Sequence, residues 1–213
     1  LDLRNHGRSF WDQDFSFDSM VEDIFNYLKF KNISKVDMLG HSMGGNLAIY
    51  ISNKTPNILN KIVIVDIVPK KYKNMHQDIL SGLKSIDFNL IGSRREADDK
   101  LSSYISDERV RHFLLKNLYW KSEHKLGFRC NLDVLYDYSK NSITNKFENP
   151  ISFKGPALFL HGKSSNYVNE KDYELINYHY SNASIIKVPN SGHWLHADNP
   201  DFFLEKTINF LNS

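Results

Sequence analysis

Four short apolar runs, rich in β-branched residues, constrain the fold of this chain more than any other feature of its sequence. Turn signals follow the runs, and the segments between them include stretches at helical spacing. Strands that are almost continuously apolar and alternate with helices are typical of a parallel sheet covered on both faces. The sequence therefore predicts an α/β fold. The four runs are residues 35–39, 61–68, 157–161 and 184–188.

Three segments near these runs carry helical signals. Apolar residues between positions 20 and 28 recur at the i, i+4, i+7, i+8 spacing of an amphipathic helix, with Asp18 or Ser19 as its expected N-cap. Residues 46–51 and 200–211 predict two further helices, the second starting at a proline that suits a first helical turn.

A long polar and aromatic insertion interrupts the alternation of strands and helices. Residues 70–150 show no convincing strand, and short amphipathic helices are indicated around 101–105 and 110–114. We therefore expect an α/β core formed by residues 1–69 and 151–213, with 70–150 inserted as a helical cap.

Composition excludes several classes of protein. The 27 basic and 25 acidic residues nearly balance and form no basic stripe, so no nucleic-acid partner is predicted. The apolar runs are far shorter than the roughly 20 residues of a membrane-spanning helix. Cys130 is the only cysteine, which excludes an intrachain disulfide and a cysteine-built zinc site. We expect no metal and no cofactor. The expected location is the cytoplasm, or an organelle matrix if a targeting segment precedes Leu1.

Residues 40–44 read Gly-His-Ser-Met-Gly and match the G-x-S-x-G pattern of a nucleophile elbow. A predicted strand leads into the pattern and a predicted helix leads out, as this turn requires. The expected role of the glycines is to leave room beside a sharp turn that projects the Ser42 hydroxyl. The N–H of Met43, at the start of the helix, is the expected donor to an oxyanion. An ordinary glycine-rich loop is the alternative.

A serine hydroxyl needs a base to become a nucleophile, and nine histidines are available. His193 is the best candidate, because it follows the last predicted strand at the carboxyl edge where α/β sheets assemble their sites. His196 is the alternative, although a packed or surface role suits it better. Of the others, three lie in glycine turns and are expected to be structural, and four have no motif around them: His6, His41 and His161, then His76, His112, His124 and His179.

The third role in such a site is a carboxylate that orients the histidine. Asp66 follows the apolar residues 62–65 of the second run, at the same expected edge, and gives the chain order Ser, Asp, His. A turn or capping role before Pro69 is the alternative for it. The loop after the third run has no carboxylate before Glu170, so Glu170 and Asp172 remain alternates.

Four strings together resemble the α/β-hydrolase superfamily, and within it bacterial esterases of the YbfF type and related mitochondrial abhydrolases. They are residues 2–9, 40–45, 66–69 and 192–197. The resemblance implies that the acid follows the strand after the nucleophile helix, as Asp66 does, and that a serine, here Ser164, takes the more usual acid position. It also implies further N-terminal strands and a His-Gly loop, upstream of Leu1, that would donate a second oxyanion N–H.

These observations predict a serine hydrolase that cleaves small carboxylic esters or thioesters through Ser42, His193 and Asp66 and an acyl-enzyme intermediate. The expected partner is a small acyl ester or thioester. A catalytically impaired hydrolase-like binding protein and an acyltransferase on the same fold are the alternatives.

Overall fold

A computed structural model describes residues 1–72, 77–123, 125–140, 147 and 149–213. The expectations about His76 and His124 lie outside these residues. The chain forms two compact units, the first made of Leu1–Asp23 and Tyr72–Ile143 and the second of Ile24–Lys71 and Thr144–Ser213. The first unit thus contains most of the range expected to form a cap, together with the N-terminal residues.

The described helices and strands, in chain order, are α1 (Phe17–Phe30), β1 (Val36–His41), α2 (Met43–Lys54), β2 (Leu59–Val65), α3 (Gln77–Lys84), α4 (Arg94–Leu101), α5 (Glu108–Leu115), β3 (Leu118–Ser122), β4 (Lys125–Phe128), α6 (Leu132–Ser139), β5 (Ala157–Gly162), α7 (Tyr173–His179), β6 (Ala183–Val188), α8 (Leu195–Asp198) and α9 (Pro200–Asn212). Short 3-10 turns at Pro56–Ile58 and Glu170–Asp172 precede β2 and α7.

The second unit is built on a sheet in which, within the described residues, four parallel strands follow the order β1-β2-β5-β6. These are the four predicted runs, so the predicted α/β class is confirmed. At the carboxyl ends the register places His41 beside Val65 and Val65 beside Leu160. The turns that leave β1, β2 and β5 therefore start at one edge of the sheet.

Alternate side chains of these strands form the core of the second unit. Val63, Leu158 and Leu160 are essentially inaccessible to solvent and cluster on one face of the sheet with apolar residues of α9. Phe159 points to the other face, where its ring contacts Tyr180 directly after α7, with ring centroids 5.2 Å apart. Burial on both faces explains why β2 and β5 read as continuous apolar runs.

The first unit has its own core around Leu83, Leu101 and Phe128. It contains an antiparallel hairpin of β3 and β4, so the expectation of no strand in the insertion was wrong. In β3 only Leu118 is buried, and the other residues are partly or fully exposed. A strand with one buried residue leaves no apolar run in the sequence, which is why pattern reading missed it.

Helix α1 begins at Phe17, before both of the predicted cap positions. The hydroxyl of Ser16 accepts the N–H of Ser19 at 3.2 Å, and the N–H of Met20 bonds to the Ser16 carbonyl. Ser16 therefore acts as the cap, and the predicted choice of Asp18 or Ser19 was wrong. Among the described helices, none combines the length and apolarity needed to span a membrane.

Candidate active site

Ser42 occupies the single-residue turn between β1 and α2. Its backbone has φ 53° and ψ −115°, which is strained for a residue with a side chain. The turn is fixed on both sides, because the Ser42 N–H bonds to the Val65 carbonyl at 3.1 Å and its carbonyl accepts the Asn46 N–H at 2.9 Å. The predicted elbow geometry, strand, strained serine and helix, is present.

Two close contacts explain the glycines at this turn. A Cβ atom on Gly40 would lie 2.2 Å from the Gly44 carbonyl oxygen, and one on Gly45 would lie 2.5 Å from a methyl carbon of Ile67. A Cβ atom on Gly44 would meet open space. The expected lack of room is therefore correct for Gly40 and wrong for Gly44, and Gly45 carries the second constraint.

Met43 is the first residue of α2. The N–H groups of a first helical turn have no acceptor within the helix, and they carry the positive end of the helix dipole. The Met43 N–H is next to the Ser42 side chain along the backbone. This position suits a donor to the negative charge that develops on the oxygen of a carbonyl group when the serine oxygen bonds to its carbon.

Asp66 follows β2 and is fully buried. Its N–H bonds to the Leu160 carbonyl at 2.8 Å, and its positive φ of 53° turns the chain away from the sheet. Oδ1 accepts the Gly162 N–H at 3.1 Å, and Oδ2 accepts the Ser165 hydroxyl. A buried carboxylate needs such partners to offset its loss of hydration.

Oδ2 of Asp66 also lies 2.7 Å from Nδ1 of His193. A carboxylate can only accept hydrogen bonds, so Nδ1 of His193 carries the proton of this contact. In the neutral ring, Nε2 is then left unprotonated with a lone pair, which is the form that can take a proton from a hydroxyl group.

The turn after β6 places His193 against the end of β5. A Cβ atom on Gly162 would lie 2.1 Å from the Gly192 carbonyl oxygen, so this approach requires glycine at 162. The Gly192 N–H bonds to Oδ2 of Asp198 at 2.9 Å, and the Ser164 N–H bonds to the Ser191 carbonyl at 2.9 Å. His193 therefore leaves a turn that these contacts hold in place.

His41 links the elbow to this turn, a contact that sequence reasoning missed. Its Nε2 donates to the His193 carbonyl oxygen at 2.8 Å, and the two ring centroids are 4.6 Å apart. Burial, followed by the His193 ring, lowers the pKa of His41 from 6.5 to about 4. His41 is therefore neutral at neutral pH. The ring of His196 packs against the His41 ring, with the two centroids 4.9 Å apart. This contact matches the packed role expected for His196 from the sequence.

Two further residues at the site were not among the candidates. The hydroxyl of Ser165 contacts Asp66, and the serine-rich loop after β5 is the signal in the sequence that could have indicated this residue. The ring of Tyr167 stacks on the His193 imidazole, with centroids 3.8 Å apart and planes inclined by 16°. Nothing in the sequence around Tyr167 indicates that contact.

The alternative acids have other partners. Glu170 pairs with Lys187, and Asp172 pairs with Lys70 at 2.7 Å. His161 contacts the hydroxyl of Tyr173 through Nε2 at 2.7 Å. Among the described residues, no group of three or more histidine, cysteine, aspartate or glutamate side chains could hold a metal ion.

Comparison with known proteins finds related sequences and related structures. A family model of the α/β hydrolase fold matches residues 1–85. The sn-1-specific diacylglycerol lipase ABHD11 of Danio rerio is 34% identical over 218 residues, covering 99% of this chain and 68% of that protein. Esterase YbfF of Escherichia coli strain K12 is 29% identical over 213 residues, covering 100% of this chain and 81% of that protein. A solved structure described as a marine microorganism esterase matches with a TM-score of 0.89 at 37% identity, over 98% of this chain and 82% of that one.

The chain belongs to the α/β-hydrolase family. The resemblance drawn from the four sequence strings is thereby confirmed. Within the family, the chain is an enzyme of the esterase and lipase type.

Proposed function

We propose that the chain is a serine hydrolase of small carboxylic esters or thioesters, with Ser42 as nucleophile, His193 as base and Asp66 as the residue that orients the base. The observation that carries the proposal is the 2.7 Å contact between Nδ1 of His193 and Oδ2 of Asp66. It supports the proposal because it leaves Nε2 of the histidine as the only ring position able to accept a proton.

The position of Ser42 gives the second support. Ser42 lies in a strained turn at the sheet edge where Asp66 follows β2, and the side chain of its neighbour His41 is bonded to the backbone of His193. These contacts hold the elbow and the histidine turn together. Backbone strain of this kind is a recurrent feature of catalytic sites.

In the proposed reaction, the Ser42 hydroxyl attacks the carbonyl carbon while its proton passes to Nε2 of His193. The negative oxygen of the tetrahedral intermediate accepts the Met43 N–H. The intermediate then releases the alcohol or thiol, which takes the proton from His193, and leaves an acyl group on Ser42. Water attacks this ester with His193 again as base, which releases the carboxylic acid and restores the serine.

The substrate class follows from this chemistry and from the relatives. Nothing in the reaction requires a group other than an acyl carbon with an oxygen or sulfur leaving group. The relatives named as an esterase and as a diacylglycerol lipase support ester substrates. A chromogenic ester with a short acyl chain, such as p-nitrophenyl butyrate, is therefore a suitable probe.

Replacement of the nucleophile tests the proposal. We expect Ser42→Ala to lower the turnover of p-nitrophenyl butyrate by about 10⁴- to 10⁶-fold, the loss typical of a removed nucleophile. Ser102→Ala is the matched control, because Ser102 is exposed and bonds only locally to the Asp99 carbonyl. Turnover of the Ser42→Ala variant within tenfold of the parent, with the control unchanged, would overturn the assignment.

A further inference from the structure

The ring of Tyr167 makes a close, nearly parallel contact with the His193 imidazole. The centroids are 3.8 Å apart and the planes are inclined by 16°, whereas the His41 ring is 4.6 Å away and tilted by 42°. The proposed reaction assigns no role to Tyr167. A parallel stack at this distance covers one face of the histidine ring.

The backbone of Tyr167 belongs to the same network. Its N–H donates to Oγ of Ser165 at 3.1 Å, and that hydroxyl donates to Oδ2 of Asp66. One short segment therefore holds the acid through Ser165 and touches the histidine through the ring of Tyr167. A side-chain substitution at Tyr167 removes the ring contact and leaves the backbone donor in place.

We propose that Tyr167 is a positioning residue, whose ring sets the plane of the His193 imidazole and so aims Nε2 at the Ser42 hydroxyl. The proposal rests on the proposed function, since it concerns the same reaction.

The hydrogen bonds around His193 leave its ring some freedom to move. Cβ ties the imidazole to the backbone and the bond from Nδ1 to Oδ2 of Asp66 holds a second point, so the ring plane can still swing about the line from Cβ to Nδ1. The bond from His41 reaches only the backbone carbonyl of His193. A flat aromatic side chain packed on the ring face restricts the swing, and so defines where Nε2 points.

An electrostatic contribution acts in the same direction. During the reaction the imidazole gains a proton, and the negative face of an aromatic ring stabilises a cation that lies over it. Burial raises the pKa of Tyr167 to about 12, so the phenol stays neutral. The face of the Tyr167 ring therefore stabilises the positive charge that the His193 imidazole carries in the transition state.

The proposal predicts a loss in kcat rather than in substrate binding. A base displaced by about 1 Å can cost about 100-fold in rate, so we expect Tyr167→Leu to lower kcat by about 10- to 100-fold. KM should stay within about threefold, because the histidine plane affects the proton transfer and not the ground-state complex. Tyr167→Phe keeps the ring and should retain kcat within about threefold of the parent.

The experiment measures kcat and KM for p-nitrophenyl butyrate with both variants, and thermal unfolding of each. Tyr178→Leu is the matched control, because Tyr178 is half exposed and its ring contacts a different histidine, His179, at 5.0 Å. If the leucine variant unfolds at the assay temperature, Tyr167→Met provides the same comparison without a ring.

Three results would overturn the inference: parental kcat in Tyr167→Leu or Tyr167→Met, an equal loss in Tyr167→Phe, or a loss confined to KM. The serine variant separates this failure from failure of the proposed function. If Ser42→Ala is inactive and Tyr167→Leu behaves as the parent, only the role of Tyr167 is refuted. If Ser42→Ala retains turnover, the proposed function itself is refuted.

Discussion

Replacing Asp66 with asparagine changes one atom of a buried side chain and should remove most of the turnover. Oδ1 of Asp66 accepts a hydrogen bond from the Gly162 N–H at 3.1 Å, and the amide oxygen of asparagine can accept the same hydrogen bond. The amide nitrogen then takes the place of Oδ2, which faces Nδ1 of His193 at 2.7 Å. A donor there makes Nδ1 the acceptor and moves the ring proton to Nε2, where it blocks the uptake of a proton from Ser42.

The expected loss in kcat is about 10⁴-fold, the effect of the wrong histidine tautomer in serine hydrolases, or about 5.4 kcal/mol at 1.36 kcal/mol for each factor of ten. Ser165→Ala provides the matched comparison at the same oxygen. It removes one hydrogen bond to Oδ2 and leaves the carboxylate with its contacts to His193 and Gly162. A hydrogen bond to a charged group contributes about 1.5–3 kcal/mol, so its loss should cost at most about 160-fold.

The assay is steady-state turnover of p-nitrophenyl butyrate for the parent and both variants, with thermal unfolding to confirm that each is folded. The reasoning is refuted if folded Asp66→Asn stays within tenfold of the parent. It is also refuted if Asp66→Asn loses no more activity than Ser165→Ala.

Two predictions concern stability. Gly40→Ala places a Cβ atom 2.2 Å from the Gly44 carbonyl oxygen and should lower the free energy of unfolding by about 1–3 kcal/mol. Gly44 has open space where its Cβ atom would lie and occupies a helical position, so Gly44→Ala should be neutral or should stabilise the fold by up to about 1 kcal/mol. Urea denaturation measures both, and equal effects of the two alanines would contradict the packing argument. The pKa of His41 is lowered from 6.5 to about 4, so the unfolded chain binds a proton first as the pH falls, and stability should fall by up to about 3 kcal/mol between pH 6.5 and pH 4. His41→Gln should flatten this dependence, and an unchanged slope would contradict it.

The strands and the elbow could be predicted because their causes are local in sequence. Burial on both faces requires continuous apolar runs such as 61–68, and a strained strand-to-helix turn requires glycine at Gly40. The candidate residues Ser42, Asp66 and His193 each follow a predicted strand, and the parallel topology brings such positions to one edge. Their chemical roles stay predictions until the variants are measured.

Other features could not be predicted because they depend on contacts between distant segments. The ring of Tyr167 meets His193, and Nε2 of His41 meets the carbonyl of the same residue, across long stretches of chain without a motif. The contact between the Ser165 hydroxyl and Asp66 likewise joins two segments that are distant in the chain. Neighbouring residues of one loop point in different directions, and sequence alone does not decide which one reaches a buried carboxylate.

The division of the chain and its compartment also stay predictions. The expected cap of 70–150 overlaps the first compact unit, which adds Leu1–Asp23 to Tyr72–Ile143. Contacts that group the N-terminal residues with later ones are invisible to a reading based on runs and periodicity, because such a reading compares only neighbours in sequence.

The most direct test of the central claim is to locate the adduct that a fluorophosphonate probe forms with the protein, by peptide mass spectrometry. The account predicts a single adduct on Ser42, formed rapidly by the parent and lost in His193→Ala, because only a serine with a base beside it reacts with this probe. An adduct on another residue, or labelling of Ser42 at the same rate without His193, would contradict it.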